Sequence, residues 1–145
     1  MNVVRTEMPT WQCYDLIRAV SVGRLCVVDH DTPLAFPVNF RLVETPNGPR
    51  VVVRTSPNTI VARHVGPMSF EVDEIDTVEQ RAWSVIIRGR IQPVHGEHSL
   101  PDPGPWVTEG RDSWIVIEPT AVSGRRFVAV TSADGFSVEW ELAPG

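Results

Sequence analysis

Lysine is absent from the 145 residues, and all 13 basic side chains are arginines. An anion held by a side-chain cation here must therefore meet a guanidinium, never an ammonium. The arginines form no run, and 18 acidic residues leave a net charge of −5. That balance argues against a nucleic-acid partner, because binding to a phosphate backbone is driven by clustered cations. Cysteine occurs only at Cys13 and Cys26, without the short spacing of a redox or zinc motif, so both are expected as buried, reduced thiols. No apolar run approaches the roughly 18 residues of a membrane-spanning helix. The opening "MNVVRTEMPTWQCYD" has no apolar signal core. A cytoplasmic protein without a membrane partner is the default expectation. GxSxG, HExxH, P-loop and GxGxxG patterns are also missing, which leaves no motif for serine-hydrolase, zinc-protease or dinucleotide chemistry.

What is present describes one globular domain over residues 1–145, with 42% hydrophobic and 21% charged residues. A chain of this size buries about two-thirds of its unfolded surface. "CYDLIRAVSVGRL" reads as a short helix with Leu16, Ile17 and Val20 on one side, ended by Gly23. Strands follow at "RLCVVD", "LAFPVNFRLV", "RVVVRTS", "MSFEVDEID", "AWSVIIRGRIQPV" and "SWIVIEP", with "AVSGRRFVAV" as a seventh. "HDTP" and "ETPNGP" are turn signals between them. In the second strand Leu34, Phe36, Val38, Phe40 and Leu42 share a core face, while Pro37, Asn39 and Arg41 share the other. In the fifth, Trp83, Val85, Ile87 and Ile91 form the core face; Ser84, Ile86, Arg88, Arg90 and Gln92 form a second face that reads as an interface. Many short strands with hairpin turns and few helices predict a mainly β fold, an antiparallel barrel in preference to a sandwich, since closure removes exposed edges. The core is expected over residues 12–130, with 131–145 as an edge strand or a segment packed on a partner.

The stretch "RVVVRTSPNTIVARH", residues 50 to 64, joins a strand through a turn to a short helix. Arg50, Val52 and Arg54 share one face, and free NH groups near Asn58 and Thr59 favour an anion that Arg54 and Arg63 close on from two sides. The alternative is that Asn58 or Thr59 is an N-cap and the arginines are solvated. The alternating carboxylates of "FEVDEID" read as a solvated, aggregation-resistant edge. "HGEH" places His95 and His98 three apart in a Pro- and Gly-rich loop and reads as solvated, not as a metal site. Trp106, Trp114 and Trp140 are candidates for lining the pocket of a flat ring.

Taken together, "LIRAVSVGRLCVVDHDTPLAFPVNFRLV", "VVVRTSPNTIVARH", "MSFEVDE", "AWSVIIRGRI" and "PWVTEGRDSWIVIEPTAVSGRR" resemble the pyridoxamine 5′-phosphate oxidase-like family of flavin-binding split barrels, in its short actinobacterial branch. The resemblance covers roughly residues 12 to 126. It implies a six-stranded antiparallel split β-barrel that forms a homodimer, with flavin sites at the dimer interface. The cofactor implied is FMN or the deazaflavin F420, and the activity is hydride transfer to or from a small molecule. By the same resemblance Pro37, Val38 and Asn39 run along the flavin ring, and Arg41 lies near the phosphate. Arg54, Thr55, Asn58 and Thr59 wrap the phosphate, Trp83 and Ser84 approach the flavin edge, and Arg125 reaches the site from the other subunit. The family's "RTxxGTK" is altered: Asn58 replaces the glycine and Ile60 the lysine, with Arg63 as the substitute cation. Phe36 stands where the oxidase itself carries an arginine, so pyridoxamine phosphate is not the expected substrate. The alternative is a non-enzymatic dimer with a degenerate cofactor site, or one that binds another planar ligand such as haem.

Overall fold

In the computed structural model the described residues are 2–56, 59–64, 66–104, 110 and 113–130. Seven strands and two helices follow one another as β1 (Asn2–Met8), α1 (Thr10–Arg18), β2 (Val22–Asp29), β3 (Thr32–Thr45), β4 (Gly48–Thr55), α2 (Ile60–Arg63), β5 (Gly66–Asp76), β6 (Arg81–Val94) and β7 (Ser113–Val130). Tight turns join consecutive strands where the chain can take positive φ. His30 and Asp31, at φ of 46° and 64°, make the two-residue turn between β2 and β3, and Gly48, at φ 100°, opens β4. The Thr45 hydroxyl, 2.7 Å from the Gly48 carbonyl, staples the second of these hairpins.

All pairings are antiparallel, in the order β1-β7-β4-β3-β2-β5-β6, and β6 pairs again with β7. Strands β2 to β7 therefore close into the six-stranded ring expected of a split barrel, and β1 extends the wall along β7. Inside lie Leu25, Phe40, Val51, Val53, Phe70, Val72, Val85, Ile87, Ile115 and Ile117, all essentially without solvent contact. The Phe40 and Phe70 rings meet edge to face at 5.0 Å. Helix α1 buries Cys13, Tyr14 and Ile17 against this core. Gly124 of β7 lets it approach: a Cβ there would stand 2.5 Å from the Cys13 sulfur and 2.8 Å from the Met8 methyl.

Five expectations change. Gly23 does not end α1, which closes at Ala19; it sits inside β2, where a Cβ would stand 2.4 Å from the buried Phe70 ring, so its role is close approach. The sixth and seventh strands are one 18-residue strand, β7, because Thr120 bulges out between the pairs Arg88↔Ala121 and Gly89↔Pro119 and absorbs the proline. "NVVRTEM" forms an unanticipated strand, supplied with a partner by residues 124–130 of β7. The carboxylate-bearing strand β5 is not an edge, since it pairs with β2 on one side and β6 on the other. Both cysteines are free, but only Cys13 is buried; Cys26 is half-buried. Residues 131–145, including Trp140, and also Trp106, lie outside the described residues.

The bulge fixes how closely β6 and β7 approach. A Cβ on Gly89 would stand 2.3 Å from the Glu118 carbonyl oxygen, a backbone atom held by its own ladder. Gly89→Ala is expected to lower unfolding free energy by about 1–3 kcal/mol, read from the midpoint of urea denaturation; a loss below about 0.5 kcal/mol would mean that the bulge opens freely.

Candidate functional site

The junction of β4 and α2 gathers polar side chains at the end of an apolar strand. Thr55, 4% exposed, carries a buried hydroxyl within 3.2 Å of the Thr59 hydroxyl. Thr59 is the N-cap of α2: its hydroxyl accepts from the Ala62 amide at 3.1 Å. Its own amide donates to the Ser56 carbonyl at 3.2 Å, so the NH expected to be free at Thr59 is engaged. Helix α2 is a single turn of four residues, too short to contribute much dipole, and the positive charge here rests on arginine. Arg63 is exposed, with Nε 3.4 Å from the Thr59 carbonyl. Asn58 lies outside the described residues.

Arg54 is more tightly held. Its Nη1 lies 2.9 Å from Asp102 Oδ2, and its guanidinium carbon 5.6 Å from the centroid of the Trp114 ring. Trp114 in turn packs against His98 at 4.4 Å, so the histidine expected to be solvated is part of this stack. Pro103, next to Asp102, is buried and lines a cleft of about 810 Å³ with Arg18, Val22, Arg41 and Asp73. That volume lies in the range of small-molecule sites.

The register sorts the other candidates by face. Pro37, Asn39 and Arg41 lie on the outer face of β3, whereas the Val38 side chain packs on the core. Asn39 pairs with Val22; Val22 and Asp73 line the same cleft; Asp73 pairs with Ser84, and Ser84 with Arg125. One outer band thus runs from Asn39 through Val22, Asp73 and Ser84 to Arg125. It crosses four strand spacings, roughly 19 Å. Trp83 is not on it: its side chain packs on the core and lines a second hollow with Leu16, Arg81 and Arg126. Trp83 and Ser84, neighbours in the chain, therefore face opposite ways.

In this band sits the acidic pair of "FEVDEID", which the sequence reading took for part of a solvated edge. Arg24 Nη1 reaches Asp73 at 2.7 Å and Glu71 at 3.5 Å. One guanidinium serves two carboxylates, and Glu71 Oε1 is buried without a hydrogen-bond partner among the described residues. Burial first, then the hydrogen bond and negative charge of Asp73, push the Glu71 carboxyl up to about 7 against the pull of Arg24. The i, i+2 spacing of the two acids was a visible sign that they share a face. The pairing of Arg54 with Asp102, 48 residues away, had no local signal.

A closed six-stranded barrel with a polar seat at the β4–α2 junction and a banded outer face defines a split-barrel protein. Comparison with known proteins gives the family. The model for pyridoxamine 5′-phosphate oxidase matches residues 10–126, and the chain belongs to that family. It is similar to the FAD binding protein of Mycobacterium smegmatis, at 28% identity over 86% of this chain and 99% of that one, with a TM-score of 0.67. A conserved protein of unknown function from Corynebacterium diphtheriae is 30% identical over 86% of this chain and 98% of its own, with a TM-score of 0.70. An uncharacterised protein of Mycobacterium tuberculosis is 28% identical over 134 residues, 85% of this chain and 86% of that one. Among the described residues no helix is long and apolar enough to cross a membrane.

The raised Glu71 carboxyl makes stability depend on pH. An unfolded glutamate titrates near 4.3, so between there and about 7 the folded chain holds a proton that the unfolded chain has lost. Stability therefore falls as pH rises through that window. Glu71→Gln is expected to remove about 1–2 kcal/mol of this decline between pH 5 and pH 8, as seen in urea midpoints at the two pH values; an undiminished decline would place its origin elsewhere.

Proposed function

We propose that this chain is a homodimeric, cytoplasmic flavin-binding oxidoreductase, which holds FMN, FAD or the deazaflavin F420 and passes hydride to or from a small molecule. The observation that carries the reading is the β4–α2 junction: the Arg54 guanidinium stands on the outer face at the end of β4, while the Thr55 and Thr59 hydroxyls on the other side fix the turn that follows. The guanidinium suits a phosphate, since it adds a charge-assisted bond; the Thr59 hydroxyl donates to the Ser56 carbonyl at 2.9 Å and holds the turn in place. The outer side chains of Pro37, Asn39 and Arg41 run along the neighbouring strand, where a flat ring would rest on extended backbone at Val38. The FAD binding by the Mycobacterium smegmatis relative supports a flavin over other planar ligands.

The flavin supplies the hydride chemistry when bound; the chain binds it, orients it and excludes water. Arg54 holds the phosphate end, Thr55 and Thr59 shape the turn beside it, and Arg63 stands at its margin. Arg125 stands about 19 Å along the sheet from Asn39, too far for one ring to touch both within a chain. A second copy that brings Ser84 and Arg125 against the first copy's Pro37–Arg41 segment completes the pocket, with Trp83 supporting Ser84's strand from the core side. The half-buried Arg24, Glu71 and Asp73 cluster and the exposed Val22 and Ile86, 41% and 42% accessible, give that copy a mixed apolar and charged face to cover.

A second reading has one observation in its favour. Ile60, at the position of the family's lysine, packs partly buried against the core and offers no cation. On that reading the cofactor site is degenerate, and the dimer is non-enzymatic or takes another planar ligand such as haem.

Titration of the purified protein with FMN, FAD and F420, followed by flavin fluorescence, separates the two readings. Binding of at least one tighter than about 100 μM, roughly −5.5 kcal/mol, is expected, and Arg54→Gln is expected to weaken it about tenfold or more; failure of all three to bind leaves the degenerate-site reading. Ile60→Lys is expected to tighten FMN if its phosphate sits at this junction, and unchanged affinity would move the phosphate elsewhere. Light scattering should give twice the chain mass, and a monomer would remove half of the pocket.

A further inference from the structure

We infer that Asp102 is a specificity-determining residue: paired with Arg54, it lets the seat take an internal phosphodiester and disfavours a terminal phosphomonoester. The inference rests on the flavin reading above and deepens it, since it separates FMN from F420. The carboxylate is a fixture of the junction. Asp102 Oδ2 lies 2.9 Å from Arg54 Nη1, and Oδ1 accepts from the Gly104 amide at 3.0 Å. Arg54 is only 21% exposed and rests on the Trp114 ring, which His98 backs. Asp102 itself is 54% exposed, on the rim where a ligand's phosphate would arrive, and Pro103 beside it carries the same loop into the cleft that Arg41 lines.

This arrangement changes what the seat prefers. The Arg54 guanidinium is already matched by Asp102, so an arriving phosphate meets no net local charge from this pair and a carboxylate within a few ångströms. A terminal phosphomonoester has a second pKa near 6 and carries close to two charges at neutral pH. A phosphate esterified on both sides carries one. The additional charge on the monoester faces Asp102 at short range in a partly desolvated site, where like-charge repulsion survives screening. Asp102 thereby penalises FMN, whose phosphate is terminal. It tolerates a ribityl phosphate that is a singly charged diester, as in F420, whereas the diphosphate of FAD brings two charges and meets the same penalty as FMN.

Asp102→Asn keeps the size of the side chain and the acceptor for the Gly104 amide while it removes the charge. Riboflavin, FMN, FAD and F420 are titrated into the wild-type protein and this variant at one ionic strength and neutral pH, with flavin fluorescence as the readout. The variant is expected to bind FMN and FAD about tenfold more tightly, F420 less than about threefold more tightly, and riboflavin unchanged. Equal gains for all three phosphorylated cofactors would make Asp102 a plain competitor for Arg54 and overturn the inference, as would no gain for FMN. Arg54→Gln tests the underlying reading on its own: if it weakens the phosphorylated cofactors while Asp102→Asn leaves their ranking intact, the seat stands and the inference falls. If it alters none of them, the phosphate is not at this junction and both fall.

Discussion

The ladder between β6 and β7 is the constraint on which the rest of the molecule depends. It runs from Arg81↔Val128 to Val94↔Trp114, and it alone turns an open sheet into a ring. Its bulge at Thr120, held where the Thr120 hydroxyl meets the Arg88 carbonyl at 3.1 Å, changes the pairing count once. That shift lets one long strand serve two stretches of wall: residues 113–117 pair with β4 and residues 124–130 with β1. Because β7 is common to these ladders, the polar junction after β4, the docking of α1 over Gly124 and the position of Arg125 share one reference. An error of one residue in the ladder would turn each of these side chains to the other face.

The outer face answers the absence of lysine. Several of its arginines are matched by carboxylates from a neighbouring strand or loop: Arg24 by Glu71 and Asp73, Arg50 by Glu118 at 3.8 Å, Arg54 by Asp102. Glu118 also accepts from Gln92 at 2.8 Å. A planar guanidinium presents its donors in a fixed fork, so each such pairing orients the group as well as neutralising it. The positive charge on this surface is therefore spread as a set of oriented, largely compensated donors, and the carboxylates decide how much of it a ligand feels.

Much of the barrel could be read from alternation. The core faces of β3, β4 and β6 follow the period of two, because each strand has one face turned to an apolar interior and the rule is local. The N-cap at Thr59 was legible for the same reason, as one of two readings. What escaped was set by distant neighbours. "NVVRTEM" becomes a strand only because β7 outruns β4 and leaves partners for it. Pro119 looked like a terminator until the bulge accommodated it. Glu71 and Asp73 looked solvated until β2 brought Arg24 alongside. Of the candidate site, Arg54, Thr55 and Thr59 were legible because they fall within one short stretch. The band that brings Asn39, Ser84 and Arg125 into line depends on register across four strand boundaries, and Asp102 enters from a loop on the far side of the sequence.

The pairing of β1 with the end of β7 also says something about how the chain is made. Asn2 pairs with Val130, so β1 has no partner until β7 has left the ribosome. At about 5–20 residues per second that is a wait on the order of ten seconds, during which residues 2–8 have no sheet to join. Helix α1, whose Cys13 contacts depend on the same stretch of β7, waits with it. The pairing of β1 with β7 is thus among the most distant in sequence, and contacts of that kind slow folding.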